Sequence, residues 1–149
     1  MKVFISQPMR DKTDEEIKKA RAFAIDCIKM YFPNEEVEII DSFFEGAPHD
    51  AKPLWFLGES FKKLSEADLA YFIRGWDKYR GCKMENNAAK QYGIEVIEEI
   101  MLDSGDVELR RYDNNGKHVS VALPSTTEAS ANIPCVNGEW YGREENENA

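Results

Sequence analysis

The residues best equipped for chemistry are carboxylates in polar loops. Glu85 stands four residues after Gly81, in the first turn of a helix predicted over residues 82–92. Free backbone N–H groups in a first turn stabilise negative charge, so Glu85 is expected to stay ionised near neutral pH. There it serves either as a nucleophile or stabiliser of developing positive charge, or simply as a helix cap. Asp77, in the loop just before, suits a general acid, a partner for a sugar hydroxyl, or a solvated turn. Asp41 ends a predicted strand and either contacts a ligand or bonds its own loop. Asp68 opens another strand, which points it toward the wrong end of a sheet or makes it the stop of the preceding helix. Trp76 and Tyr79 flank Asp77; Trp76 either stacks on a flat ring or covers a sheet edge. Arg80 pairs with Glu85 or binds an anion, and Arg10 has a similar double reading. Met9, Phe43 and Phe44 wall a pocket or pack locally.

Other chemistries lack their residues. The loop Ser6-Gln7-Pro8-Met9-Arg10-Asp11 contains no glycine, which excludes a G-x-G-x-x-G dinucleotide turn, and no phosphate-binding P-loop is present. No Gly-x-Ser-x-Gly elbow occurs, and His49 and His118 lie outside the candidate loops. Cys27, Cys82 and Cys135 are odd in number, far apart and without metal-ligand spacing. No metal site and no cofactor are expected, and the cysteine usage fits a reducing, cytoplasmic compartment.

The net charge of −9 argues against a backbone-binding partner such as a long nucleic acid, which calls for a basic stripe. The basic cluster Arg74, Lys78, Arg80 and Lys83 is thin, enough only for a small anion. No apolar run approaches the ~20 residues that span a bilayer. The apolar stretch in MKVFISQPMRD is too short for a secretory leader.

These loops must hang on a scaffold, and the hydrophobic periodicity supplies one. KVFIS at 2–6 predicts a strand. Thr13 with Glu16 forms a capping-box pattern, and Ile17, Ala20, Ala24, Ile28 and Tyr31 follow at helical spacing. A second strand is predicted at 37–40, a helix at 53–67 with Leu54, Leu57, Phe61 and Leu64 as its buried stripe, and strands at 68–73 and 94–97. The expected fold is α/β: an open, doubly wound, mainly parallel sheet of order 2-1-3-4 with helices on both faces. A β-hairpin at 107–112 and 118–123, turning through Asp113-Asn114-Asn115-Gly116, extends the sheet or stands off as an arm. The chain thus divides into a domain over 1–100, a hairpin over 101–124 and a polar, partly disordered tail over 125–149. In such sheets ligands bind beyond the carboxyl ends of the strands, where the strand order switches. That points to the loops 6–12 and 74–82 and the end of the second strand.

Ser6-Gln7-Pro8-Met9-Arg10, Asp41-Ser42-Phe43-Phe44, Leu64-Ser65-Glu66-Ala67-Asp68 and Gly75-Trp76 with Arg80-Gly81-Cys82 and Glu85 resemble a phage and bacterial family of small proteins. That family is similar to the nucleoside 2-deoxyribosyltransferases and deoxynucleotide N-glycosidases. The resemblance covers about residues 2–98. It implies that Glu85 is a nucleophile attacking the anomeric carbon of a deoxyribose, and that Asp68 matches an aspartate of the relatives' strand 3 segment. A further aspartate of the relatives falls on Tyr79 here, with Asp77 two residues away. The catalytic set implied is Glu85, Asp77 and Asp68; the substrate-binding set is Ser6, Gln7, Met9, Arg10, Asp41, Phe43, Trp76 and Arg80. The reaction class is deoxyribosyl transfer or hydrolysis on a small-molecule nucleoside or nucleotide, in a homo-oligomer. The alternatives are a non-catalytic nucleotide-binding module and an interaction protein built on the hairpin and tail.

Overall fold

A computed structural model describes residues 1–41 and 46–123, together with the backbone of three two-residue strands at 135–136, 139–140 and 143–144. Phe43, Phe44 and most of the polar tail lie outside the described residues. The chain runs β1 (Lys2–Ser6), α1 (Asp14–Tyr31), β2 (Glu38–Ile39), α2 (Pro53–Leu64), β3 (Leu69–Phe72), a 3₁₀ turn (Trp76–Lys78) and α3 (Arg80–Gln91). It continues through β4 (Glu95–Met101), β5 (Val107–Tyr112) and β6 (His118–Leu123) to the short strands β7 (Cys135–Val136), β8 (Glu139–Trp140) and β9 (Arg143–Glu144).

The sheet order is β2-β1-β3-β4-β5-β6-β9. β1 pairs in parallel with β2 and β3, and β3 with β4. The remaining pairs are antiparallel. The fold is therefore α/β, but the sheet is mixed, and its order does not stop at 2-1-3-4. The hairpin is a continuation of the sheet: β5 pairs along β4 from Val96↔Tyr112 to Met101↔Val107. That partner is also why β4 extends to Met101, beyond the expected end at Ile97. Exposed ladder groups at a sheet edge cost free energy unless paired, and β5 pairs them.

Side chains alternate between the two faces of the sheet. Val3, Ile5, Leu69, Tyr71, Ile73 and Ile97 pack against Ala24, Cys27, Ile28 and Tyr31 of α1. Phe4, Ala70, Phe72 and Val96 meet Leu64 of α2 and Ala89 of α3 on the opposite side. α1 starts with the expected capping box: Glu16 N donates to Thr13 Oγ1 at 3.1 Å and Thr13 N donates to Glu16 Oε1 at 2.9 Å.

α2 departs from its sequence pattern. Of the proposed buried stripe only Leu64 is buried, whereas Leu54 is 73% exposed and Phe61 38% exposed. The helix meets the sheet through its C-terminal end, and its first half stands over a cavity. The β5–β6 turn is held by Asp113, whose Oδ1 accepts from the N–H groups of Asn115 and Lys117, both at 2.9 Å. Gly116 has φ 75°, and a Cβ there would lie 3.1 Å from the Lys90 carbonyl oxygen, so glycine fits both the twist and the space. Among the described residues no helix is long and apolar enough to cross a membrane.

Candidate functional site

β1 delivers Ser6 to the carboxyl end of the sheet, where it is 2% exposed. Its hydroxyl donates to Glu85 Oε1 at 2.7 Å. α3 begins at Arg80, two residues before the expected start, so Glu85 falls in the second turn rather than the first. No acid occupies the first turn of α3. This removes the capping alternative and the dipole argument for an ionised carboxylate. Glu85 instead points inward and is 7% exposed. Burial raises its pKa above the ordinary glutamate value, while hydrogen bonds from Ser6 and Ser60 pull the other way. The result is a desolvated carboxylate held by two hydroxyls, whose charged form is more reactive than one in open water.

Around it lies a cavity of about 1070 Å³, formed by the end of β1, the loop after it, α1, Asp41, α2 as far as Ser60 and α3 as far as Glu85. Ser6, Gln7, Met9, Asp41, Arg80 and Glu85 all line it. Gln7 spends its side-chain amide on the fold, donating to the Ile17 carbonyl at 2.7 Å and fixing the loop against α1. Arg80 makes no ion pair with Glu85 or with any other described residue. Cys82 lies one turn from Glu85; its thiol is pushed up to about 11, mainly by burial, with a Ser6 hydrogen bond opposing. It therefore remains protonated at neutral pH and supplies no thiolate.

Comparison with known proteins finds no matching family model, curated protein or solved structure.

The site thus rests on its own geometry, which does not gather every expected residue. Asp68 sits at the amino end of β3, where its carboxylate accepts from Lys2 N at 2.7 Å and its own N–H donates to the Lys2 carbonyl. It is spliced into the opposite edge of the sheet from the cavity. Asp77 lies exposed in the 3₁₀ turn and does not line the cavity. Trp76 is directed onto Phe72, ring centroids 5.7 Å apart, with its indole N–H buried and unpartnered, and it too stays outside the lining. The Arg10 side chain is not part of the wall; its carbonyl accepts from Tyr79 Oη at 2.9 Å and ties the two site loops together.

The loop after β3 is anchored from below. Glu99 Oε1 accepts from Arg74 N at 3.0 Å and from the Arg74 guanidinium at 3.2 Å, and Oε2 accepts from Tyr71 at 2.5 Å. Burial raises the Glu99 pKa against these bonds. Gly75 then turns the chain at φ 92°, a conformation that favours glycine.

Arg21, Lys52 and Ser60 line the cavity without having been singled out in the sequence, and Leu57, expected in the buried stripe of α2, and Tyr79 line it too. Ser60 follows Leu57 by three residues, hence on the same helix face. That spacing is the available signal, but only the position of α2 over α3 gives it meaning. Among the described residues no group of three His, Cys, Asp or Glu side chains could hold a metal ion.

Proposed function

We propose that this chain performs N-glycosidic bond chemistry on a deoxynucleoside or its monophosphate, with Glu85 as nucleophile. The observation that carries the reading is the buried Glu85 carboxylate, bonded to Ser6 at the carboxyl end of β1 and lining a cavity with ample room for a nucleoside. Glu85 attacks the anomeric carbon as the C–N bond breaks. The electron pair leaves on the base nitrogen, which takes a proton from water. A glycosyl ester forms, and water or a second base then attacks the same carbon and frees the carboxylate. Apolar walls from Met9, Leu57 and Phe56 would hold the flat base. The resemblance to deoxyribosyltransferases supports the same assignment, on a sheet whose parallel half is read as doubly wound. Asp68 and Asp77 have no place in this scheme.

The test is incubation with each of the four deoxynucleosides and their 5′-monophosphates, and with deoxyinosine with and without adenine. Free base without an acceptor indicates hydrolysis; deoxyadenosine formed only with adenine indicates transfer. Glu85→Gln is expected to abolish release while the fold persists, and retention of more than about a tenth of the rate overturns the nucleophile. The second reading, a non-catalytic nucleotide-binding module, draws on the same hydroxyl pair, which satisfies the carboxylate without substrate. Tight nucleotide binding with no base release from any of these compounds would establish it.

We also propose a homo-oligomer. Leu54, Phe56, Phe61 and Met84 are exposed on α2 and α3, more apolar surface than isolated positions account for. Light scattering showing only the 17.1 kDa species would rule it out.

A further inference from the structure

The cavity holds more positive charge than the glycosidic step uses. Arg21 comes from α1, Lys52 from the residue before α2, and Arg80 from the first position of α3. None of the three makes an ion pair among the described residues. Arginines nearer the sheet behave differently: Arg74, in the loop after β3, pairs with Glu99, and in β5 Arg110 pairs with Glu108 and Arg111 with Glu95. Single unpaired cations on a surface are ordinary solvated groups. Three from separate elements outnumber the two carboxylates of the same wall, Asp41 and Glu85, in a chain whose net charge is −9.

Two helix starts add to it. Lys52 and Tyr79, the N-caps of α2 and α3, make no side-chain capping bond. The first internal bond of α3 is Lys83 N to the Tyr79 carbonyl at 2.9 Å. The N–H groups of Arg80, Gly81 and Cys82 therefore precede any helical acceptor, and these residues line the cavity. Backbone donors of this kind, together with guanidinium forks, match the oxygens of a phosphate.

We propose that Arg21, Lys52 and Arg80 form a phosphate subsite, and that the ligand of this cavity is a nucleoside 5′-monophosphate in preference to the uncharged nucleoside. The assignment of the attached sugar and base rests on the glycosidic reading of Glu85. At neutral pH the monophosphate carries close to two negative charges, which the three cations neutralise, while a nucleoside leaves them facing water. Arg21 and Arg80 offer bidentate contacts; Lys52 contributes a point charge.

Calorimetric titration with 2-deoxyribose 5-phosphate and with 2-deoxyribose isolates this contact, because neither compound has a base to lose. The sugar phosphate is expected to bind the wild-type chain at least about tenfold more tightly than the sugar. Arg21→Gln and Arg80→Gln should each weaken it about tenfold, the pair about a hundredfold, with affinity falling as salt rises. Lys29→Gln, on the exposed side of α1, should change nothing, and melting curves show whether each variant is folded. Equal affinity for the two sugars, or unaltered binding in the folded double variant, overturns the subsite. Selective phosphate binding with no base release from any nucleotide keeps the subsite and removes the glycosidic reading. Base release from nucleosides as efficient as from monophosphates does the reverse.

Discussion

Ser6→Ala tests how the site controls the charge on Glu85. The Ser6 hydroxyl is 2.7 Å from Glu85 Oε1, and the two residues are 2% and 7% exposed. A hydrogen bond to a charged group contributes about 1.5–3 kcal/mol, and about 1.36 kcal/mol is a tenfold change in a protonation equilibrium. Losing the bond therefore lowers the ionised fraction of Glu85 by about ten- to a hundredfold on the acid side of its titration. Water entering from the cavity replaces part of the bond, which places the expected drop near the lower figure. Burial already holds the carboxyl above its ordinary range, so the variant moves the acid limb of the rate profile further toward alkaline pH. The assay is kcat/KM for base release as a function of pH, with carbon NMR following the Glu85 carboxyl directly. The alkaline plateau should change little, because there the carboxylate is ionised with or without Ser6. An unmoved acid limb and an unmoved carboxyl titration would refute this electrostatic role. An equal loss at every pH would mean that Ser6 acts on the substrate instead.

Glu85→Gln should raise the melting temperature at about pH 8 and by less at about pH 4. The raised pKa of the folded state means that the protonated carboxyl's contribution to stability is present below the unfolded pKa. It is lost as pH rises through the folded pKa, and glutamine never carries the charge; a lower melting temperature at the alkaline end would contradict this. Glu99→Ala removes the partner of the buried Tyr71 hydroxyl and of Arg74. It should cost about 2–4 kcal/mol in urea unfolding, and a loss under about 0.5 kcal/mol would show that the network contributes nothing net. Asp68→Ala, which deletes the acceptor for Lys2 N, should cost about 0.5–1.5 kcal/mol of stability and leave kcat unchanged. Asp77→Asn should alter neither quantity, and a large fall in kcat for either variant would return that aspartate to the catalytic set.

Local signals located much of this chain before any packing was known. β1 and the two hairpin strands lie where β-rich runs and turn residues put them, because those signals are carried by adjacent residues. The start of α1 is legible for the same reason: Thr13 and Glu16 bond each other across a single turn. Glu85, Ser6 and Arg80 could be associated because parallel strands bring successive βα loops to one edge. What needed the tertiary structure were the partners. Glu98 and Glu99 fall beyond the strand predicted at 94–97, yet both are buried in β4, the first bonded to Asn86 and Lys90 and the second to Tyr71 and Arg74. Adjacent strand residues face opposite sides, so each carboxylate meets a different layer. The helical stripe of α2 could not say whether Leu54 and Phe61 would be covered, since amphipathic spacing defines a face but not what stands opposite it. Asp68 is the converse case: its place at the start of a strand already carried it toward the wrong end of the sheet, and only the resemblance put it in the catalytic set. In the folded chain that end is the edge opposite Glu85.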